Sequence, residues 1–543
     1  MVIRCCGWRI GLVGAARQCT RPHLAHAVRD AVLQAEHRAQ PVLDLGAVAS
    51  RASVRTLASS SRAPSRPNDT IYALATGAGR AGVAIVRISG AAVERIYHSL
   101  CLTSRLLPYV RLPPAHKLVV RNLHHPHTRE LLDAGAGVIL FPAGASYTGE
   151  TSLELHIHGG VATVSDVLDA LVSIRASEGR VRPAEAGEFT RRAFEHGRLD
   201  LAGAEALHAL VQAETSMQRR VAVQGTAGFQ AKRYEAMRAQ LLKAMAMTEA
   251  LIDFSDEDGV EDATWVAAVR SVEQMAQMLG DELGVEGAQG QRGGKGTRHV
   301  GEIVSDGIRL AIYGPPNAGK SSLLNRLADR EAAIVSDVPG TTRDVLQVHL
   351  DLGGYKVIVY DTAGLRTGAC DEIERIGISR ARDAVQAADL SLLVIPADST
   401  STPPLLGPDS YTAHDADLVF INKTDLHPEC PRVSGARTWT GSVKTGAGLA
   451  ELMADLAQLI KTKYAISTTE APLITQTRHR FLLLECLDHI NRFLALARAR
   501  DPDLVLAAEE LRYAAKSIGK ITGNHLSPDE ILGSIFSTFC IGK

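Results

Sequence analysis

A chain of 543 residues is too long for one hydrophobic core, and at about 100–200 residues per domain it should hold three or four. Its 45% hydrophobic and 22% charged content is that of a globular protein, and 59 Lys and Arg against 60 Asp and Glu exclude a globally basic nucleic-acid coat, though not a local basic face. No apolar run approaches the ~18–20 residues of a membrane-spanning helix, so no stable membrane insertion is expected. Eight scattered cysteines without metal spacing argue for a reducing compartment and against structural zinc or a disulfide framework.

Residues 1–66 carry ten Arg, no Lys and only Asp30, Glu36 and Asp44 as acids, with frequent Ser and Ala. That composition marks an organelle transit peptide, mitochondrial ahead of chloroplast, with a plain disordered extension as the alternative. The run TIYALATGAGRAGVAIVRISG (70–90) predicts a strand, a Gly-rich turn and a second strand. Further strands at AGVILFPAG and TSLELHIHGG, with a helix after Gly160, make residues 67–184 an α+β domain. From 185 to 305 the apolar spacing turns helical, as in LDLAGAEALHALVQAE and YEAMRAQLLKAMAMTEALIDF. Within it the polar, Gly-rich stretch 284–301 reads as a flexible excursion. Residues 306–463 form an α/β nucleotide domain, and helical periodicity returns over 464–543. The fold class is thus multidomain α/β and α+β: an N-terminal α+β domain and an all-α domain into which a P-loop, Ras-like domain is inserted.

IRLAIYGPPNAGKSSLLNRL (308–327) is a hydrophobic strand, a Gly-x4-Gly-Lys-Ser loop and an amphipathic helix. Gly314 and Gly319 let the backbone curl so that the N–H groups of Asn317, Ala318, Gly319, Lys320, Ser321 and Ser322 face a phosphate at a helix N-terminus. Lys320 supplies positive charge to the β and γ oxygens, and the Ser321 hydroxyl suits magnesium. In VYDTAG, Asp361 is placed to hold magnesium through water. Thr362 and Ala363 lead to Gly364, whose N–H can meet the γ-phosphate. VFINKTD supplies Asn422, Lys423 and Asp425; a carboxylate accepts from both the ring N–H and the amino group of guanine, and adenine offers no such pair. GSVKTG, with Ser442, fits the loop that receives the guanine oxygen. The four elements in this order specify GTP.

SDVPGTTRD (336–344) is a switch loop beginning at Ser336, with Thr342 as a second magnesium hydroxyl; Thr341 reads equally as a turn residue or a ligand. Leu365 stands where many small GTPases place a water-orienting Gln. Hydrolysis must then use another group, and the candidates are Arg343, Arg366 and Glu374, each equally a solvated surface charge.

The sequence resembles the tRNA-modifying GTPases called MnmE or TrmE, particularly their mitochondrial members. The resemblance rests on DTIYALAT…GRAGVAIVRISG, YTGE…LELHIHGG, GEFTRRAFEHGRLDLAGAEAL, PNAGKSSLLN, GTTRD and the terminal FCIGK, and covers about residues 68–543. It implies an N-terminal domain that binds folate and forms a homodimer, and a partner, MnmG, that uses FAD and NADH. Together these modify carbon 5 of the wobble uridine of certain tRNAs in the mitochondrial matrix. A tetrahydrofolate derivative donates the carbon, and glycine, taurine or ammonia supplies the amine. It further implies potassium at Asn317, Ser336, Val338 and Thr341, in the space where other GTPases insert an arginine finger, and a water-positioning acid at Glu374. RTGACDEIE carries one residue more than the family pattern, which loosens that last match. Folate contacts carry over to Arg87, Glu154, Arg198 and Lys543. Arg198 stands where the bacterial pattern often has Lys, and His158 matches a family histidine whereas His156 does not. Cys540 of the tail is implied to be catalytic, its thiol being suited to nucleophile or proton-donor work. Gly542 and Lys543 are poor choices for the end of a prenylation box.

The rival is a non-catalytic GTP switch, such as a ribosome-assembly factor, which has no reason to carry FCIGK or a folate-type domain. An ATP-driven enzyme is opposed by Asn422 and Asp425.

Overall fold

The computed structural model describes residues 69–175, 179–253, 261–284, 298–315, 317–329, 334, 347–361, 387–398, 417–427, 437–466, 471–524, 536, 538, 539 and 542. All of them belong to the second of two compact units, Arg66–Lys543.

β1 (Thr70–Leu74) and β2 (Val83–Ser89) are the two strands expected around the Gly-rich turn, paired antiparallel. After α1 (Val93–Leu100) come β3 (Cys101–Leu102), β4 (Val119–His124), β5 (Leu131–Phe141) and β6 (Ser152–His158). α2 (Val161–Val172) and β7 (Val181–Pro183) complete a seven-stranded sheet in the order β3-β4-β5-β6-β2-β1-β7. Strand side chains alternate in direction. Val86, Ile88, Leu153 and Leu155 therefore enter one core with Ile96 and Leu100 of α1 and Leu171 of α2, while Arg87, Glu154 and His156 project from the opposite face. α3 (Glu188–Glu195) docks here through Arg192, whose guanidinium pairs with Glu150 at 3.0 Å and Glu188 at 3.0 Å and donates to the Asp69 carbonyl.

The helical region opens with α4 (Leu201–Gln212), capped by the Asp200 carboxylate on the Gly203 N–H at 2.6 Å, and α5 (Ser216–Thr226). α6 (Phe229–Asp253), α7 (Glu261–Leu283) and α8 (Val300–Asp306) follow. The inserted domain contains β8 (Ile308–Tyr313), α9 (Lys320–Ala328), β9 (Gln347–Leu352) and β10 (Tyr355–Asp361). β11 (Leu390–Pro396), β12 (Leu418–Asn422), β13 (Arg437–Thr440) and α10 (Leu449–Lys463) complete it. Its six-stranded sheet runs β13-β12-β11-β8-β10-β9, parallel except for the β9–β10 hairpin. β12 is buried along its whole length, because parallel strands are covered on both faces.

α11 (Thr477–Ala497) and α12 (Leu504–Thr522) return to the earlier helices. Leu483, Cys486, Ile490 and Phe493 of α11 and Leu511, Ala514 and Ile518 of α12 share one core with Tyr234, Met237 and Leu241 of α6 and Met275 of α7. Each such Leu or Ile contributes roughly 1.5–3 kcal/mol on burial. One bundle is thus built from both flanks of the nucleotide domain, which makes that domain an insertion. The returning segment is pinned at once: Tyr234 donates its hydroxyl to the Leu473 carbonyl at 2.5 Å, and Gln230 donates to that of Pro472 at 2.8 Å. Among the described residues, no helix is long and apolar enough to cross a membrane, and no group of His, Cys, Asp and Glu is placed to hold a metal ion.

Candidate functional site

Strand β8 ends at Tyr313, and the loop after it is shaped by backbone that side chains would obstruct. Gly314 has φ +143°, and a Cβ there would lie 2.1 Å from the Val394 carbonyl oxygen. Asn317 takes a left-handed φ of +58° and is exposed at the crest of the loop. Gly319, at φ +97°, is the N-cap of α9, so the helix begins at Lys320 and the N–H groups of its first turn face the loop. The buried Lys320 ammonium folds back over this loop, donating to the Gly314 carbonyl at 2.9 Å and the Pro315 carbonyl at 2.8 Å. Ser321 occupies the first turn of α9, and Asp361 ends β10 in register with Ile312 of β8. These positions all lie at the carboxyl ends of the parallel strands, where open α/β sheets bind ligands.

A second loop is welded to the first. Asn422, at the end of β12, donates its amide to the Ala318 carbonyl at 2.8 Å and accepts from the N–H groups of Lys423 at 2.8 Å and Val443 at 3.0 Å. Lys423 adopts φ +67°, and Asp425 is exposed two residues on. Ser442 is fully buried; its hydroxyl accepts from the Thr445 N–H at 3.3 Å, closing the short loop around Val443. The sequence places Asn422 among the GTP-binding residues. The geometry gives its carboxamide a bridging job between the two loops, which only a side chain with both donor and acceptor can do.

In the first domain Arg87 and Glu154 are direct cross-strand partners, joined by an Nε–Oε1 hydrogen bond of 3.0 Å. The Arg87 guanidinium lies 5.4 Å from the Tyr147 ring centroid and 5.9 Å from that of Phe189. His156 Nε2 is buried 3.5 Å from Glu154 Oε2 but makes no hydrogen bond. A buried polar atom without a partner, beside a carboxylate, an arginine and two rings, suits a flat ligand rich in donors and acceptors. Arg198 is exposed, and its Cγ lies against Gly149. Near the C-terminus, Gly542 reaches the neighbouring strand β1. Gly542 has φ +100°, and a Cβ there would lie 2.3 Å from the carbonyl oxygen of Leu74, whose neighbour Ala73 pairs with Arg87.

Sequence reasoning missed the buried charge network beneath this face, in which Ser89 Oγ donates to Glu150 at 2.7 Å and Arg182 joins Asp69 to Glu188. Burial pushes the Glu188 carboxyl up, but its hydrogen bonds to Arg182 and the Glu185 N–H, with the Arg192 charge, outweigh this and hold it below its ordinary value. Ser336, Val338, Thr341, Thr342, Arg343, Thr362, Ala363, Gly364, Arg366, Glu374, Cys540 and Lys543 lie outside the described residues.

A glycine-shaped loop between strand and helix, a lysine folded over it and an Asn-Lys-x-Asp loop bound to it define a P-loop GTPase. Residues 201–540 match the MnmE helical domain, and residues 70–198 match the N-terminus of the GTP-binding protein TrmE. The tRNA modification GTPase MnmE of Paramagnetospirillum magneticum is 45% identical over 483 residues, covering 88% of this chain and 100% of its own. The mitochondrial 5-taurinomethyluridine tRNA synthase subunit GTPB3 of Danio rerio is 41% identical over 497 residues, covering 88% and 93%. Among solved structures, the G domain of the T. maritima FeoB iron transporter aligns with 22% identity over 29% of this chain and 99% of its own, with a TM-score of 0.19. The chain belongs to the MnmE/TrmE family of tRNA modification GTPases, and it is a GTP hydrolase.

Proposed function

We propose that this protein hydrolyses GTP to drive modification at carbon 5 of the wobble uridine in mitochondrial tRNAs, in the matrix, as a homodimer joined to an MnmG-type partner that carries FAD and NADH. The observation that carries this reading is the close approach of Gly542, near the C-terminus, to Leu74 of β1, the strand beside the Arg87–Glu154 pair, in a chain that also holds the GTPase. Identity to a mitochondrial taurinomethyluridine synthase subunit and the Arg-rich, acid-poor residues 1–66 support the compartment and the base.

In the GTPase, Lys320 and the N–H groups at the start of α9 bind the phosphates, and Asp425 selects guanine. The hydroxyls of Ser321 and Thr342, and Asp361 through water, would hold magnesium, which would supply charge neutralisation to the phosphates. Ser321 in the first turn of α9 and Asp361 at the end of the adjacent strand suit that role. The exposed Asn317, with Ser336, Val338 and Thr341, offers oxygen donors for potassium where an arginine finger would otherwise act. Glu374 positions the attacking water, with Arg343 and Arg366 as further charge partners. In the first domain Glu154, with Arg87 bonded to it, accepts from the pterin N–H groups of a tetrahydrofolate derivative, while Arg198 and Lys543 meet its carboxylates. Cys540 acts at the reacting carbon.

Two measurements test this. Hydrolysis should be several-fold faster in potassium than in sodium, and equal rates remove the ion assignment. Deleting the gene should erase the modified wobble nucleosides from mitochondrial tRNA by mass spectrometry, and an unchanged profile removes the modification reading.

A further inference from the structure

The β9–β10 hairpin has two ends with different neighbours. Its Asp361 end borders the phosphate loop, being in register with Ile312 two residues before Gly314. Its turn end rests on the helical domain, at the junction between α4 and α5. The Lys356 ammonium of β10 meets Glu214 Oε2 at 2.6 Å, with side chains only 14% and 27% exposed, and His349 Nδ1 of β9 lies 4.0 Å from the same oxygen. Glu214 belongs to the three-residue junction itself, between Gln212 and Ser216.

The contact is welded at backbone level as well. The Met217 N–H donates to the Gly354 carbonyl at 3.0 Å, and Gly354, at φ +92°, lies so close that a Cβ would meet Ser216 Oγ at 2.5 Å. Gln218 accepts from the N–H groups of Glu214 and Thr215 at 3.1 and 3.3 Å and donates to the Ser305 carbonyl at 2.8 Å. Val221 of α5 is buried in the GTPase core with Leu352 and Tyr355 of the hairpin. Hairpin and junction therefore have no slack between them, and a packed contact of this kind passes on a shift instead of absorbing it.

Helix α4, about 18 Å long, carries further contacts along its length. Leu201 and Ala204 form a buried cluster with Phe536 and Phe539 of the C-terminal tail, and the His208 ring lies 4.6 Å from that of Phe539. Between Ala204 and His208, Glu205 is anchored by Arg478 at 2.8 Å and His479 at 2.7 Å. The helix is held at its middle, packed against the hairpin at one end and against the tail along its length.

We infer that the Lys356–Glu214 contact makes α4 a lever through which the nucleotide state of the GTPase sets the seating of the C-terminal tail against the first domain. Glu214 and Lys356 are positioning residues in this account, remote from both ligand sites. The inference rests on the proposed function for what the tail does once seated, but not for the coupling itself. A coupling path through packed side chains is established only when both ends respond to a change in its middle.

The test uses the full chain as wild type, Glu214→Lys, Lys356→Glu, the double charge reversal and Lys356→Met. Backbone hydrogen exchange of the tail around Phe536–Gly542 is read with GDP and with a non-hydrolysable GTP analogue. Wild type should show a difference of about five-fold or more between the two nucleotides, the scale of ordinary allosteric coupling. Each single variant, including Lys356→Met, should lose that difference while hydrolysing GTP within about three-fold of wild type, and the double reversal should recover it. Single variants that keep the nucleotide-dependent difference, variants that lose hydrolysis in step with it, or a double reversal that recovers nothing would each overturn the lever. Wobble nucleosides in cells carrying the same variants should follow the exchange data. If exchange behaves as expected while wild-type cells lack the modified nucleosides, the modification reading fails and the lever stands.

Discussion

The Asn422 carboxamide and the Ala318 carbonyl, 2.8 Å apart, join the base-reading loop to the phosphate loop across the mouth of the sheet. Because Asn422 also accepts from the N–H groups of Lys423 and Val443, one side chain fixes three stretches of backbone. Replacing it with Ala leaves those N–H groups and that carbonyl unsatisfied in a buried setting, at roughly 1–3 kcal/mol each in the worst case. Asn422→Ala should therefore weaken GTP binding at least tenfold and lower the melting temperature of the GTPase. A fluorescent GTP-analogue titration together with calorimetry would show both, and a variant with normal affinity would refute the bridging role.

Gly314 should be intolerant of any side chain. A methyl group there would overlap the Val394 carbonyl oxygen on the neighbouring strand β11, and the φ of +143° is strained for L-residues. Strain and overpacking of this kind each cost about 1–3 kcal/mol. Gly314→Ala should lower unfolding stability by about 2 kcal/mol or more and abolish nucleotide binding, read by denaturant titration and by analogue binding. Unchanged stability would mean the backbone relaxes freely there.

Guanine choice is assigned to Asp425, exposed just beyond the Asn422 weld. Asp425→Asn exchanges a double acceptor for a donor and acceptor, so it should lose the preference for guanine over other purines while keeping the fold. Competition of GTP against xanthosine triphosphate measures this. Retained guanine preference would remove Asp425 from the role.

Much of this architecture was legible because period and punctuation agree with packing. The alternation of VAIVRIS and the unbroken apolar run of LVFIN announced a half-buried strand and a fully buried one. The insertion was readable because Leu483, Ile490 and Leu511 repeat the helical spacing of Tyr234 and Leu241. Pairings between charged residues far apart in the sequence were not readable. Glu205 meets Arg478 and His479 some 273 and 274 positions away, and Arg192 meets Glu150 across 42. Charged residues are ordinarily solvated, so nothing local marks the ones that folding buries. The bridging use of Asn422 was hidden for a related reason: its partners Ala318 and Val443 contribute backbone, which sequence does not distinguish.

Arg87 should matter twice in the first domain, by pairing with Glu154 and by lying against Tyr147 and Phe189. Arg87→Lys keeps the charge but loses the planar fork and the ring contact. It should weaken binding of a tetrahydrofolate derivative by about tenfold, roughly 1.4 kcal/mol, with GTP hydrolysis unchanged. Isothermal titration with a formyl-tetrahydrofolate decides the matter, and wild-type affinity in the variant would place the pterin elsewhere.

Glu205 sets an acid limit on the helical bundle. Burial alone would push its carboxyl up, but the hydrogen bond and charge of His479 and those of Arg478 outweigh it and bring the folded value down to about 2. A carboxyl with a lower pKa in the folded state than in the unfolded one binds fewer protons when folded. Its contribution to stability is therefore complete above the unfolded value of about 4.3 and is lost as pH falls from there toward 2. Glu205→Gln should flatten that part of the stability profile, and because it leaves the half-buried Arg478 guanidinium without its carboxylate partner it should cost about 1.5–3 kcal/mol near neutrality. Chemical denaturation from pH 2 to 7 on both proteins would reveal it. A variant whose profile remains parallel to wild type between pH 2 and 5 would show that Glu205 is not the titrating anchor of α4.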